Sequence, residues 1–133
     1  MSLERINAPA LPAPSGFSHA VTARGGSLVF LAGQTALGSD NRIVDGGIVV
    51  QFEQALGNLL TALAAAGGRP EHLAKLTLFA VDPEDYRAHA REIGAVWQRL
   101  AGRDYPAMAL IGIVRLWDAP ALVELEGIAV LPD

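Results

Sequence analysis

The chain has 133 residues, no cysteine and a formal net charge of -4. This length predicts one domain with a sizeable core. Without cysteine there can be no disulfide, thiolate metal site or cysteine nucleophile, and the acidic balance argues against a nucleic-acid partner bound through a basic face. We find no secretory leader and no apolar run of about 18 residues, so we expect a cytoplasmic protein without membrane contact.

The first part of the chain predicts an irregular arm followed by short strands. Residues 1–16 contain three prolines, which disfavour a helix, so we expect an irregular N-terminal arm. Apolar runs at 17–23 and 28–32 flank Arg24-Gly25-Gly26, a pattern typical of a β-hairpin. Residues 43–44 suggest one more short strand.

Two helices and a strand are expected in the middle of the chain. Apolar residues at three- and four-residue spacing predict an amphipathic helix over 49–63, which Gly67-Gly68 ends. Alternating residues predict a strand over 74–81. Asp82-Pro83 has the sequence of a helix N-cap and first residue, and predicts a second helix that ends at Gly102.

Residues 105–130 read as two strands around a turn at 117–120. Alternation places Glu124 and Glu126 on the same face of the second strand, within an otherwise apolar run. Two carboxylates are costly to bury alone. Either this face meets solvent, or the pair belongs to a polar site at a cleft or a subunit boundary.

The order of these elements predicts an α+β fold, with a mixed β-sheet and both helices packed on one face. We expect residues 1–133 to form this single domain. The other face of the sheet would be too apolar for water, and homo-oligomerisation is the natural way to cover it.

Few side chains form a recognisable catalytic or metal motif. No two histidines have metal-ligand spacing, so no metal site is expected. His19, beside Ser18, could face a cleft, although a hydrogen-bonded structural role is favoured. No serine lies in a nucleophile elbow and no glycine pair forms a phosphate loop. Three arginines read first as solvated side chains, yet each could reach a ligand carboxylate: Arg91, Arg99 and Arg115.

Seven stretches of the chain form a recognisable series. They are Phe17-Ser-His-Ala-Val, Leu28-Val-Phe-Leu-Ala-Gly-Gln, Gln54-Ala-Leu-Gly-Asn-Leu, Ala65-Ala-Gly, Lys75-Leu-Thr-Leu-Phe, Tyr105-Pro-Ala and Val123-Glu-Leu-Glu-Gly-Ile-Ala. No single stretch is specific, but their order and spacing, from about residue 15 to residue 130, resemble the Rid family (reactive intermediate/imine deaminase, also called YjgF-type or L-PSP endoribonuclease).

The resemblance implies a chorismate-mutase-like α+β fold and a homotrimer with ligand clefts between subunits. It also implies hydrolysis of reactive enamines and imines to ketoacids and ammonia, without a cofactor. The family's cleft glutamate, which orients water, corresponds to Glu124. Residues implied to bind substrate are Phe17, Ser18, His19, Ala32, Gly33, Met108, Ala109 and Leu110.

This chain departs from the family pattern at three of those positions. Met108 replaces the arginine that grips the substrate carboxylate, Phe17 replaces a tyrosine, and Leu110 replaces a cysteine found in many members. A shift of the alignment would instead bring His19 to the tyrosine's place. We expect an apolar, neutral pocket that raises the pKa of Glu124, and a ligand without an α-carboxylate unless another arginine such as Arg91 binds it.

Three functional hypotheses follow. The chain is a hydrolase of the imine/enamine deaminase type with an altered substrate, acting on C=N bonds. Alternatively it is a noncatalytic trimer of the same fold that binds a small molecule or another protein. The third hypothesis, ribonuclease activity, is disfavoured by the acidic charge and by the lack of a visible set of catalytic His and Lys residues.

Overall fold

A computed structural model of the chain describes residues 2–133. Its main sheet has four strands in the order β3-β6-β4-β5, and β1 and β2 form a separate antiparallel pair. The elements are β1 (Ser2–Ile6), β2 (Ala20–Arg24), β3 (Ser27–Gln34), α1 (Ile48–Ala65), β4 (Leu73–Ala80), α2 (Pro83–Ala88), α3 (Ala90–Ala101), β5 (Ala107–Gly112) and β6 (Val123–Leu131), with a 3-10 turn at Pro70–His72.

The helix predicted over 49–63 is α1, and it is the core helix of the fold. By length and composition it could cross a membrane, but its apolar stripe is buried in the same cluster as the sheet and α3. The stripe consists of Phe52, Leu56, Leu59 and Leu63. A helix at the centre of a globular core carries the same composition as a membrane span, and this burial accounts for it.

Both helical segments pack on one face of the main sheet, as predicted. Leu76, Leu78 and Ala80 of β4 are buried beneath them, together with Val123 and Leu125 of β6. On the opposite face, which we call the open sheet face, no helix formed by residues 2–133 covers the strands. This face is made by Leu28, Phe30, Lys75, Thr77, Phe79, Ala109, Ile111, Glu124, Glu126 and Ile128, which the strand register places on one side.

Both predicted hairpins are wrong, although both turns exist. Gly25 and Gly26 have φ of 70° and 81° and turn the chain, but β2 pairs with β1 whereas β3 pairs with β6. At the other end of the chain β4 lies between β5 and β6, pairing with β5 in parallel and with β6 antiparallel. Local turn residues determine where the chain reverses direction. Which strands pair depends on how the side chains of the whole sheet pack.

The irregular N-terminal arm is also partly wrong, because Ser2–Ile6 form β1 and pair with β2. The prolines that motivated the prediction all follow this strand, so they do not interrupt its hydrogen bonds. The second predicted helix begins as expected. Asp82 accepts hydrogen bonds from the backbone N–H groups of Glu84 (3.1 Å) and Asp85 (3.3 Å). It is broken at His89, however, into α2 and α3.

Candidate functional site

A cavity of about 300 Å³ lies along the edge strand β5, lined mainly by residues from the helix side of the sheet. Met108 and Leu110 reach it from β5, where they pair with Leu76 and Leu78 of β4 and so share the face that packs on the helices. We call this space the outer cavity. Its lining residues are Ser15, Gly16, Phe17, Leu78, Tyr86, Met108, Ala109 and Leu110. None of these described residues is charged.

Phe17 reaches the outer cavity because the residue after it is fixed to the start of β5. The backbone N–H of Ser18 donates to the carbonyl of Pro106 (3.0 Å), and its hydroxyl donates to the carbonyl of Tyr105 (2.7 Å). Ser18 is buried and has both polar groups in use. These bonds give Ser18 a positioning role, and its predicted contact with a ligand stays a prediction.

His19 is held in the same way by the segment that follows β1. The backbone N–H of Ala8 donates to its Nδ1 (3.0 Å), so Nδ1 is an acceptor and the ring proton lies on Nε2. Nε2 lies 3.1 Å from the carbonyl of Pro12, to which it donates. Both ring nitrogens are used by the backbone, so these contacts fit the favoured structural role of His19, and its predicted substrate contact stays a prediction.

Glu124 lies on the open sheet face, on the opposite side of the sheet from Met108. Its neighbour across the register is Phe79 of β4. Burial of the carboxyl, and then the charge of Glu126, raise the pKa of Glu124. Within residues 2–133 no cation forms an ion pair with Glu124, so nothing offsets this rise. The carboxyl therefore keeps its proton to a higher pH than a fully solvated glutamate does.

Gly33 lies beside Glu124, and together with Ala32 it forms the stretch where the pairing of β3 with β6 is interrupted between Leu31 and Gln34. A Cβ on Gly33 would lie 2.9 Å from Cδ of Glu124 and closer still to Oε1. Only glycine lets the carboxyl approach the backbone this closely. The irregular strand thus forms one wall of the Glu124 site.

The predicted site residues therefore fall into two groups within one chain. Phe17, Met108, Ala109 and Leu110 meet at the outer cavity. Gly33 and Glu124 meet on the open sheet face, and Ala32 precedes Gly33 in the interrupted stretch of β3. The sequence predicts that Met108 and Glu124 share a cleft between subunits, and within a single chain the sheet separates them.

The arginines offer no replacement for the motif arginine among the described residues that line the outer cavity. Arg99 pairs with Glu53 of α1, and Arg115 donates to the carbonyls of Leu116 and Trp117, each at 3.1 Å. Arg91 is an exposed residue of α3 and does not line the cavity. Residues 2–133 hold no group of three His, Asp or Glu side chains placed to bind a metal ion.

Four residues of the outer cavity were not predicted from the sequence: Ser15, Gly16, Leu78 and Tyr86. For Tyr86 the reason is that its position in the apolar stripe of the second helix indicated the core. It does contact Phe52 edge to face, with ring centroids 6.2 Å apart. The signal that could have revealed it is its hydroxyl, since a buried tyrosine needs a hydrogen-bonding partner or a cavity.

Comparison with known proteins gives a consistent result over nearly the whole chain. Residues 7–131 match the family model described as endoribonuclease L-PSP. A RutC family protein of Synechocystis is 33% identical, with 99% of each chain covered. A protein of Dermatophagoides farinae named 2-iminobutanoate/2-iminopropanoate deaminase is 31% identical, covering 98% of this chain and 99% of that one. The crystal structure of YyfB from Yersinia pestis, in the Rid protein family, superposes with a TM-score of 0.85 at 33% identity, covering 98% of this chain and 100% of that one.

Proposed function

This chain belongs to the Rid (endoribonuclease L-PSP) family, and on that premise we propose that it is a small-molecule hydrolase of the imine/enamine deaminase type whose substrate lacks an α-carboxylate. The observation that carries the proposal is the Glu124 carboxyl, which is partly desolvated, lacks an ion-pair partner within residues 2–133 and is seated over Gly33. A relative of 31% identity is named as an imine deaminase, which supports the reaction class.

The chemistry needs only water and one carboxyl group. Water adds across the C=N bond to give a carbinolamine, which then expels ammonia and leaves a carbonyl. Burial raises the pKa of Glu124, which favours its protonated form relative to a solvated glutamate; in that form it can give a proton to the imine nitrogen, and as carboxylate it can then hold the attacking water. No step calls for a cofactor or a metal.

We also propose that a complete site is shared between two copies of the chain in a homotrimer. Glu124 and the outer cavity lie on opposite faces of the sheet, so one chain cannot bring them to the same ligand. The open sheet face gives the reason to associate, because Leu28 and Phe30 are 62% and 72% exposed there. Covering such a face with another copy buries the apolar side chains and lets Glu124 meet a neighbour's cavity.

Met108 determines the substrate class in this proposal. A carboxylate entering the outer cavity would lose its hydration and find no guanidinium to replace it. Neutral imines and enamines do not incur that cost. We propose a small molecule, not nucleic acid, as the partner, because a chain with a net charge of -4 is repelled by the phosphate backbone. We also place the protein in the cytoplasm.

A noncatalytic small-molecule-binding trimer is the second candidate. It is favoured by one observation, namely that Ser18 and His19 are committed to backbone hydrogen bonds and leave Glu124 without a second catalytic partner of known placement. Ammonia release distinguishes the two candidates. A hydrolase loses turnover when Glu124 is replaced by Gln, whereas a binding protein shows no enzyme-dependent release at all.

The shared site is tested by mixing two defective variants. Glu124→Gln removes the carboxyl, and Met108→Trp fills the outer cavity of an otherwise intact chain. In mixed trimers, a site formed between subunits pairs the intact cavity of one variant with the intact Glu124 of the other, so activity on a neutral imine returns. A site within one chain would stay defective in every combination, and the absence of any recovery would rule out the shared arrangement.

A further inference from the structure

A second cavity, of about 230 Å³, lies directly behind Met108. We call it the inner cavity. It shares Ser15, Gly16, Tyr86 and Met108 with the outer cavity, so the Met108 side chain borders both spaces. Its remaining lining residues are Phe52, Ala90, Ile93, Gly94, Trp97, Gln98 and Tyr105. No Asp, Glu, Lys, Arg or His belongs to either set of described lining residues.

The inner cavity exists because α3 carries small residues where it faces α2 and the start of β5. Ala90 and Gly94 are one turn apart on this helix. A Cβ on Gly94 would meet no atom within 4 Å, apart from the helix's own backbone and its chain neighbours. Glycine within a helix costs roughly 0.5–1 kcal/mol relative to alanine. Here that cost coincides with an open space, so the packing does not require the glycine.

The walls of the inner cavity are apolar, with hydrogen-bond donors among them. Trp97 stacks on Tyr105, with ring centroids 6.2 Å apart, and its Nε1–H is buried without an acceptor among residues 2–133. Burial raises the pKa of Tyr86 to about 12, so its hydroxyl stays protonated and remains a donor at neutral pH. These donors can hydrogen-bond to a neutral ligand. No Lys, Arg or His among the described lining residues balances the charge of an anion.

We propose that the inner cavity is a substrate subsite, and that the substrate is an uncharged imine or enamine with a ring-sized apolar substituent that passes Met108 and fills it. A dry cavity of about 150 Å³ is enough to bind benzene, so the volume behind Met108 suits a six-membered ring. The inference rests on the proposed function. In it, the C=N group of the substrate lies in the outer cavity and the ring lies in the inner cavity. Hydrolysis converts such an imine and water into an aryl or alkyl ketone and ammonia.

The experiment measures equilibrium binding of the product-like ketone acetophenone, which needs no turnover. Acetophenone is neutral, and benzoate presents the same ring with a negative charge. Binding is followed by the indole N–H signal of Trp97 in ¹⁵N NMR spectra, with Trp117→Phe removing the other tryptophan, which is 91% exposed. We expect acetophenone to shift the Trp97 signal, and benzoate to bind at least about tenfold more weakly.

Gly94→Leu then fills the inner cavity. We expect it to weaken acetophenone binding at least about tenfold, because the apolar ring can no longer be buried there. Gly57→Leu is the matched control, because Gly57 is also a helical glycine with nothing within 4 Å of its Cβ but lies outside both cavities. Thermal unfolding of both variants confirms that each is folded.

The result that overturns the inference is benzoate binding as tightly as acetophenone, no binding of acetophenone, or acetophenone binding that Gly94→Leu leaves unchanged. The hydrolase proposal fails separately, through ammonia release that does not depend on Glu124. Binding at the inner cavity without turnover would therefore retain the ligand class and reject the reaction.

Discussion

The carboxyl of Glu124 lies over the backbone of Gly33, so close that a side chain at position 33 would occupy the same space. Two strands create this contact. β6 carries the glutamate, and the interrupted pairing of β3 presents a residue without a Cβ. The contact both removes water from the carboxyl and fixes where it points, so its loss should affect Glu124 more than it affects folding.

Gly33→Ala tests this relationship. The added Cβ collides with the flexible end of Glu124, which can swing away, so we expect stability to change by less than about 1 kcal/mol. With the carboxyl displaced by about 1 Å, the rate of ammonia release should fall about a hundredfold. Ammonia release and urea unfolding measure the two effects. Gly57→Ala is the control and should leave activity unchanged; equal activity losses in both variants would contradict the role of the contact.

Met108→Arg should give the chain activity on 2-imino acids. A forked pair of charged hydrogen bonds to the substrate carboxylate is worth about 3 kcal/mol, or roughly a hundredfold in affinity. The assay is ammonia release from freshly generated imino acids, with Met108→Gln as the uncharged control of similar length. If the native chain already hydrolyses these substrates as well as the variant does, another residue holds the carboxylate and Met108 does not set the specificity.

Glu124→Gln should stabilise the protein at neutral pH more than at acid pH. Because burial raises the pKa of Glu124 in the folded chain, the folded state binds this proton more tightly than the unfolded state does. Its contribution to stability is present below the unfolded pKa and is lost as pH rises through the folded pKa. We expect a gain in Tm of less than about 4 °C at pH 7–8, since the carboxyl keeps some contact with water, and no gain near pH 4. Glu4→Gln is the control at an exposed position, and its change in Tm should be the same at both pH values.

The native mass should be near three times the 13.9 kDa of one chain, and Phe30→Asp should reduce it to that of a single chain. Phe30 is mostly exposed in the isolated chain, so its replacement costs the fold little and its effect falls on association. Light scattering measures the mass, and neutral-imine turnover should disappear with the trimer. Val50→Asp, at an exposed residue of α1 away from the open sheet face, is the control. A fully active monomer would contradict a site shared between subunits.

Asp82→Ala should destabilise the chain by about 1 kcal/mol through the lost N-cap of α2. It should also loosen Tyr86, which lies on that helix and borders both cavities. Urea unfolding measures the first effect and acetophenone binding measures the second. Asp82→Asn keeps an accepting side-chain oxygen and should retain most of the stability, so similar losses in both variants would argue against the cap.

The sequence by itself determined the elements whose signals are local. The apolar spacing of α1, the Asp82-Pro83 start of α2 and the alternation of β4 each depend on neighbouring residues, and each is present as predicted. The same alternation correctly put Glu124 and Glu126 on one face. The order of the motifs also identified the family.

Only the tertiary structure decided which strands pair and which side chains meet. Because β4 lies between β5 and β6, these two strands do not form the expected hairpin, and β5 pairs in parallel with β4. The strand register places Met108 and Glu124 on opposite faces of the sheet. The hydrogen bonds that occupy Ser18 and His19 likewise come from residues distant in sequence or in the N-terminal segment. Pairing and packing are settled by the free energy of the whole sheet and core, to which short-range patterns contribute only a part.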